Sequence, residues 1–219
     1  MKRTYQLTKS KFILGLQCEK ALYLSVYQPK LAYYPPETLA KFRGGREFES
    51  KIKSLFHDGV DVSKALGMRM SQYPEYTREL LSQPGEINIY EGGFLYNGVL
   101  VLADVVHKDS EGHISIYEIK NSLSMNDVFV RDVSIQHYVI SHCIEIAQFS
   151  VVYNDGNDNP VYEELLGRAQ EAEQEIAEQV ERMKTMLEGF VPERAMGEHC
   201  HTPYDCPFLR YCKRMETKQ

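Results

Sequence analysis

The chain has 219 residues, is 43% hydrophobic and 26% charged, and carries a formal net charge of −6. This composition suits a soluble globular protein and excludes a disordered chain. The acidic balance argues against a general nucleic-acid coating protein, usually basic throughout, but leaves room for a local basic channel.

The N-terminal stretch MKRTYQLTKSKFILGLQCEK lacks a long apolar segment with a small-residue cleavage site, and no apolar run reaches the roughly 18 residues of a membrane helix. A cytoplasmic protein is therefore expected. Residues 8–27 are predicted helical, with Thr8 or Ser10 as N-cap. A second helix over 38–57 puts Phe48, Ile52, Leu55 and Phe56 on one face, with Gly59 as its stop. Residues 60–85 show little periodicity beyond a short helix in QYPEYTRELLSQPGE. Three strands follow, INIYEGGFLY, GVLVLADVV and HISIYEIKN. Asn97-Gly98 and KDSEG separate them as turns, so an antiparallel meander is expected. Next come a helix over DVFVRDVSIQHYVISHC, a fourth strand AQFSVVYN and the loop DGNDNP. A long helix is expected over 160–189, stopped by Gly189 and acidic on a solvated face, before an irregular, cysteine-rich stretch over 190–219. There is no internal repeat. The order predicts an α/β domain with a mixed central sheet flanked by helices.

The strand hairpin places charges where burial is expected. By alternation Ile114, Ile116, Glu118 and Lys120 share one face of a strand, and Leu100, Leu102 and Asp104 one face of its neighbour. Pairing of the two brings Asp104 toward Glu118 and Lys120. Buried charges are costly unless paired or bound to metal. Two carboxylates with the backbone carbonyl of Ile119 make a hard-cation site for Mg²⁺ or Mn²⁺. Lys120 can orient or help deprotonate a water, or offset phosphate charge. The competing reading is an ordinary exposed Glu-Lys pair on a strand.

GVLVLADVV…SIYEIKNS resembles the central motif of the PD-(D/E)xK nuclease superfamily, with Asp104, Glu118 and Lys120 in its D, E and K places. GGREFESKI is similar to the upstream helix motif of the RecB-like branch, with Glu49 in the ligand place. SIQHYVI is similar to its downstream motif, with Gln136 matching and Tyr138 at a different spacing. The resemblance implies a restriction-endonuclease-like core at about 38–155 within a single domain over 1–219. It also implies a metal set of Glu49, Asp104, Glu118 and Ile119, with Gln136 supporting catalysis or DNA. Lone histidines such as His57, His107 and His137 read as structural or exposed.

Cys200, Cys206 and Cys212 lie in CHTPYDCPFLRYC with five residues between neighbours, and Cys18 lies near the other end. In a reducing compartment such clustering suggests metal or redox chemistry rather than disulfides. Four thiolates suit an iron–sulfur cluster; the spacing is wide for zinc, which His199 and His201 keep as an alternative. One N-terminal and three C-terminal cysteines resemble the iron-staple nucleases, including small CRISPR-associated RecB-like exonucleases. That likeness implies a [4Fe–4S] cluster held by elements 8–27 and 190–219, joining the chain's ends. Cys143 reads as a plain core cysteine.

The expectation is a Mg²⁺- or Mn²⁺-dependent deoxyribonuclease, an exonuclease on single strands or ends, with helicase, recombination or CRISPR proteins as partners. Lys2, Arg3, Lys11, Arg43 and Arg46 are candidate phosphate contacts, and Tyr5, Tyr23, Tyr27, Tyr33 and Tyr34 candidate base-stacking residues. Two rivals stay open: a non-catalytic nucleic-acid-binding or assembly subunit of the same fold, and a redox-responsive iron–sulfur protein.

Overall fold

A computed structural model describes residues 6–65, 69–157 and 159–217. The chain runs β1 (Leu7–Thr8), α1 (Lys9–Gln17), α2 (Glu19–Tyr27), α3 (Pro36–Lys53), β2 (Val60–Asp61), α4 (Tyr73–Leu81), β3 (Ile87–Tyr96), β4 (Val99–Lys108) and β5 (Ile114–Ile119). It continues through α5 (Asp127–Ile140), β6 (Gln148–Asn154), β7 (Pro160–Glu164), α6 (Leu166–Glu171), α7 (Glu173–Glu188) and α8 (Leu209–Glu216). Asn97 and Gly98, at φ 47° and 74°, form the two-residue turn whose twist matches the paired strands β3 and β4.

The strands form one mixed sheet in the order β2-β3-β4-β5-β6-β7, with β1 also beside β4. β3 pairs with the whole of β4, from Tyr96↔Val99 to Ile87↔Lys108. It therefore fills one edge of β4, and β1 and β5 must share the other. β1 takes Val99 and Leu100, and β5 takes Val105 to Lys108. Between them the edge of β4 from Val101 to Asp104 is left open. β5 itself stays paired with β6 as far as Ile119↔Val152, through a parallel crossover that contains α5.

Alternation along the strands sorts the helices onto two faces. Val106, Ile116 and Val151 pack with α5 residues Val133, Ile135 and Val139 in the main core. Val105, Ile119 and Val152, at odd spacings from those residues on the same strands, pack with Phe48 and Ile52 of α3 in a second cluster. α3 and α5 thus cover opposite faces.

Several sequence expectations are corrected. The helix expected over 8–27 breaks at Cys18, which is extended (φ −160°, ψ 113°) and separates α1 from α2. Thr8 does cap α1, accepting from Lys11 N at 3.4 Å. α3 ends at Lys53, so Leu55 lies beyond it and is exposed. Gly59 is not its stop: a Cβ there would meet the Tyr90 ring at 2.1 Å, and close packing explains the glycine. The helix expected over 160–189 begins with strand β7, whose Val161 and Tyr162 pair with β6. The reversal before it is locked by Asp155, which accepts from Asn157 N and Asn159 N. Gly189 ends α7 as expected. The two-residue strands β1 and β2 carry too little pattern to be read. The 190–219 stretch contains α8. Among the described residues no helix is long and apolar enough to cross a membrane.

Candidate active site

The last rung joining β4 to β5 is Val105↔Tyr117. One step further, Ile119 N donates to Asp104 Oδ2 at 2.7 Å. A side chain has replaced the main-chain ladder, and the two strands splay there. Lys120 N still donates to Val152 O at 2.8 Å, so β6 fixes the backbone just past the split.

On one side of Asp104 stand Glu49 of α3 and Glu91 of β3. The three carboxylates offer oxygens within 4.8 Å of one another, the only such set of His, Cys, Asp or Glu ligand atoms among the described residues. Lys53 Nζ bridges two of them, 2.5 Å from Glu49 and 2.7 Å from Glu91. Burial would lower the Lys53 pKa, but Glu91 and Glu49 hold it above the ordinary range. Burial raises Glu91, outweighing Lys53. Burial and then the Glu118 charge push Asp104 up to about 8.

On the other side, Glu118 sits in a socket of donors. Lys9 Nζ and Lys120 Nζ reach its Oε1 at 2.5 and 2.8 Å, and Gln136 Nε2 reaches Oε2 at 2.8 Å. Only 2% of Glu118 is exposed. Burial alone would raise its pKa, but Lys120 and Lys9 hold it down at about 2. Lys120 also pairs with Asp132 of α5. Against burial, Glu118 and Asp132 hold Lys120 above its usual value. Its ammonium thus lies between two carboxylates, Glu118 and Asp132. Gln136 is fully buried, and its Oε1 has no hydrogen-bond partner among the described residues.

Of the expected metal set, Glu49 and Asp104 come together. Glu118 meets two lysines and a glutamine, and Glu91 is the third carboxylate beside Glu49 and Asp104. Sequence reasoning missed Glu91, Lys53, Lys9 and Asp132. Glu91 was hidden inside a strand read only for its apolar residues. It has φ +54°, and the register from Tyr90↔Val105 to Gly92↔Ala103 sets it across from Asp104.

The candidate nucleic-acid contacts are divided. Arg43 and Arg46 are exposed on α3, one to two turns before Glu49. Asn121, just past Lys120, ties that helix to the split by donating to Gly44 O at 3.1 Å. Lys11 is half-buried on α1. Tyr34 packs edge-on against Phe42 of α3, 5.8 Å between ring centres, and both are exposed. Tyr33 lies under the Arg210 guanidinium. Tyr23 packs on Tyr27, whose hydroxyl donates to Leu187 O at 2.6 Å. Tyr138 is buried and its hydroxyl accepts from Asn97 Nδ2. Lys2, Arg3 and Tyr5 lie outside the described residues. His57 is exposed, His107 contacts Asn88 Oδ1 at 2.8 Å, and His137 is buried.

Far along the chain from this centre, Cys18, Cys200, Cys206 and Cys212 line one small cavity with His199 and Phe208. Cys206 N donates to Cys200 O at 2.8 Å. Burial, together with the three other thiols, pushes Cys206 up to about 11. His201 is engaged with Asp205. Cys143 is not a core residue: it is exposed just past α5, its thiol 3.3 Å from Val139 O.

No protein-family model matches this chain, and no curated protein does. Among solved structures it is similar to the crystal structure of SSO0001, with a TM-score of 0.52 and 14% identity, covering 98% of this chain and 88% of that one. At that identity the likeness concerns the fold.

Proposed function

We propose that this protein is a divalent-metal-dependent deoxyribonuclease with a restriction-endonuclease-like core, acting on single strands or DNA ends. The observation that carries the reading is the Glu49–Glu91–Asp104 set at the β4–β5 split, with Glu118 and Lys120 adjoining it. Five carboxylates (Glu49, Glu91, Asp104, Glu118, Asp132) meet three ammonium groups (Lys9, Lys53, Lys120) there. Fully ionised, that is 3 − 5 = −2, the charge one divalent cation offsets. Burial, and after it the Glu118 charge, raises Asp104 to about 8, a cost that a bound cation would offset.

Glu49, Glu91 and Asp104 are the residues that would hold Mg²⁺ or Mn²⁺. Such an ion lowers the pKa of a bound water and stabilises negative charge on a phosphate. The chain's own residues do the rest. Ile119 N fixes the Asp104 carboxylate. Asp132 and Glu118 hold Lys120 charged and take two of its three N–H donors, leaving the third for a water or a phosphate oxygen. Arg43 and Arg46 offer phosphate contacts along α3, and Tyr34 and Phe42 offer ring faces to unpaired bases.

The four-cysteine cavity is read as the seat of a [4Fe–4S] cluster. Four thiols brought from both ends of the chain to one cavity are what supports that reading, since four thiolates are the usual ligand set of such a cluster. The deciding experiment is incubation of anaerobically purified protein with single- and double-stranded DNA, with and without Mn²⁺. Mn²⁺-dependent cleavage lost in Asp104→Asn supports the reading. Absence of cleavage on either substrate defeats it.

A further inference from the structure

Lys9 lies 109 residues from Glu118 in sequence, yet its Nζ is 2.5 Å from Glu118 Oε1 and largely shielded from solvent. The topology explains the meeting. β1 pairs with Val99 and Leu100 on the β4 edge that β5 occupies further along. α1 starts directly after β1, so Lys9 emerges at the open stretch between β1 and β5, near Glu118, the penultimate residue of β5. The apolar residues of α1 gave no hint of this, because Lys9 reads as an ordinary first-turn lysine.

The rest of α1 is fixed. Phe12 is fully buried, and at Gly15 a Cβ would meet Met183 Sδ at 2.7 Å and Leu22 Cδ2 at 2.8 Å. At its far end Gln17 Nε2 donates to the carbonyls of His199 and Tyr204, at 2.8 and 2.7 Å. Cys18, the next residue, lines the cysteine cavity. A helix of nine residues is about 13 Å long, and this one runs from the cysteine segment to the acidic centre.

We infer that Lys9 is a positioning residue of the proposed nuclease centre, acting through Glu118 and held in place by the docking of α1 on the cysteine segment. The inference rests on the nuclease reading. An ionised carboxylate accepts at about four lone-pair sites. Lys9 and Lys120 occupy Oε1 and Gln136 one site on Oε2, so a single acceptor position is left and its direction is set. Without Lys9 the carboxylate keeps only Lys120 and Gln136 as donors, so its orientation, and with it the direction of the Lys120 ammonium, is less firmly set. The ammonium of Lys9 also adds positive charge beside Asp104, so its removal alters the field at the metal-holding carboxylates.

The test compares Lys9→Met and Lys9→Arg with wild type, by Mn²⁺ titration of the cleavage rate and by Mn²⁺ affinity from electron paramagnetic resonance. Lys9→Met should cleave about tenfold or more slowly at saturating Mn²⁺, as losses of groups that orient metal-site ligands do. Its half-maximal Mn²⁺ concentration should also shift, a change that a purely structural lysine would not cause. Lys9→Arg, which keeps the charge, should recover most of the rate. If Lys9→Met does not fold, Lys9→Gln takes its place. A folded variant with wild-type rate and Mn²⁺ dependence overturns the inference. If wild type itself cleaves no DNA, the nuclease reading fails separately. Mn²⁺ affinity then decides: a shift in Lys9→Met upholds the positioning of the site, and an unchanged affinity ends it.

Discussion

Asp104 accepts the backbone N–H of Ile119 at 2.7 Å, so a catalytic candidate also serves as the last rung between β4 and β5. The two duties separate by substitution. Asparagine keeps an oxygen acceptor but loses the charge, so Asp104→Asn should hold its melting temperature while cleavage falls by about 10²-fold or more. Alanine leaves the N–H without its partner, so Asp104→Ala should also cost about 1–3 kcal/mol in urea unfolding. Equal stability of the two variants would show that the hydrogen bond does not hold the split.

The four cysteines that share a cavity should give a brown protein with visible absorption after anaerobic purification. Cys18→Ala and Cys206→Ala should each lose the colour and lower stability, because the group ties together segments 182 residues apart (200 − 18). Cys143→Ala, at an exposed thiol away from the cavity, should leave the colour unchanged. A colourless preparation with stoichiometric zinc would refute the iron–sulfur assignment.

Periodicity and turn chemistry made the centre of the fold legible. β3 runs over Ile87–Tyr96, the stretch marked by INIYEGGFLY, and the Asn97-Gly98 turn follows from residues that tolerate positive φ. β1 and β2 were invisible because two residues carry no alternation. β7 was lost inside an acidic stretch whose later part is helical. At the site, Asp104, Glu118 and Lys120 were readable as charges in apolar surroundings, and Glu49 only through the motif resemblance. Lys9 was not, because its role depends on a gap in the edge of β4 between β1 and β5, and Glu91 was not, because the β3–β4 register is what sets it across from Asp104.

Gly45 and Gly59 predict opposite outcomes for the same substitution. Gly45 lies inside α3, where a Cβ would meet nothing within 4 Å. Alanine there should stabilise by about 0.5–1 kcal/mol, the ordinary helix-propensity difference. At Gly59 the new Cβ falls on the Tyr90 ring, and that ring is held by its hydroxyl donating to the Lys53 and Phe56 carbonyls. Gly59→Ala should destabilise by about 1–3 kcal/mol. Urea midpoints that move in the same direction would contradict the packing described.

Two carboxylates set opposing pH dependences. Glu118, held at about 2, lies below its unfolded value of about 4.3. Its contribution is present above that value and is lost as the pH falls toward 2. Asp104, raised to about 8, contributes in the other sense: the metal-free protein loses stability as the pH climbs from about 4 through 8. Mn²⁺ favours the ionised form, so it should raise the melting temperature more at about pH 8.5 than at about pH 5. An Mn²⁺ effect independent of pH would mean that Asp104 is not among the groups the ion meets.

Glu91 and Glu118 are alternative third ligands for the proposed metal, and their surroundings distinguish them. Glu91 has an oxygen within 4.8 Å of oxygens on Glu49 and Asp104. It holds a positive φ that costs a residue with a side chain about 1 kcal/mol or more. Glu118 is surrounded by Lys9, Lys120 and Gln136, so its charge is already balanced. Glu91→Gln should therefore weaken metal binding, raising the Mn²⁺ needed for half-maximal cleavage by about tenfold, with the rate recovering at high Mn²⁺. Glu118→Gln should behave differently. It leaves Lys9 and Lys120 facing a neutral amide, loosens the ammonium of Lys120, and lowers the rate in a way that added Mn²⁺ does not restore. Titrating Mn²⁺ against cleavage rate in both variants decides the matter. A shifted titration in Glu118→Gln beside a wild-type curve in Glu91→Gln would return Glu118 to the metal and leave Glu91 as no more than a partner of Lys53.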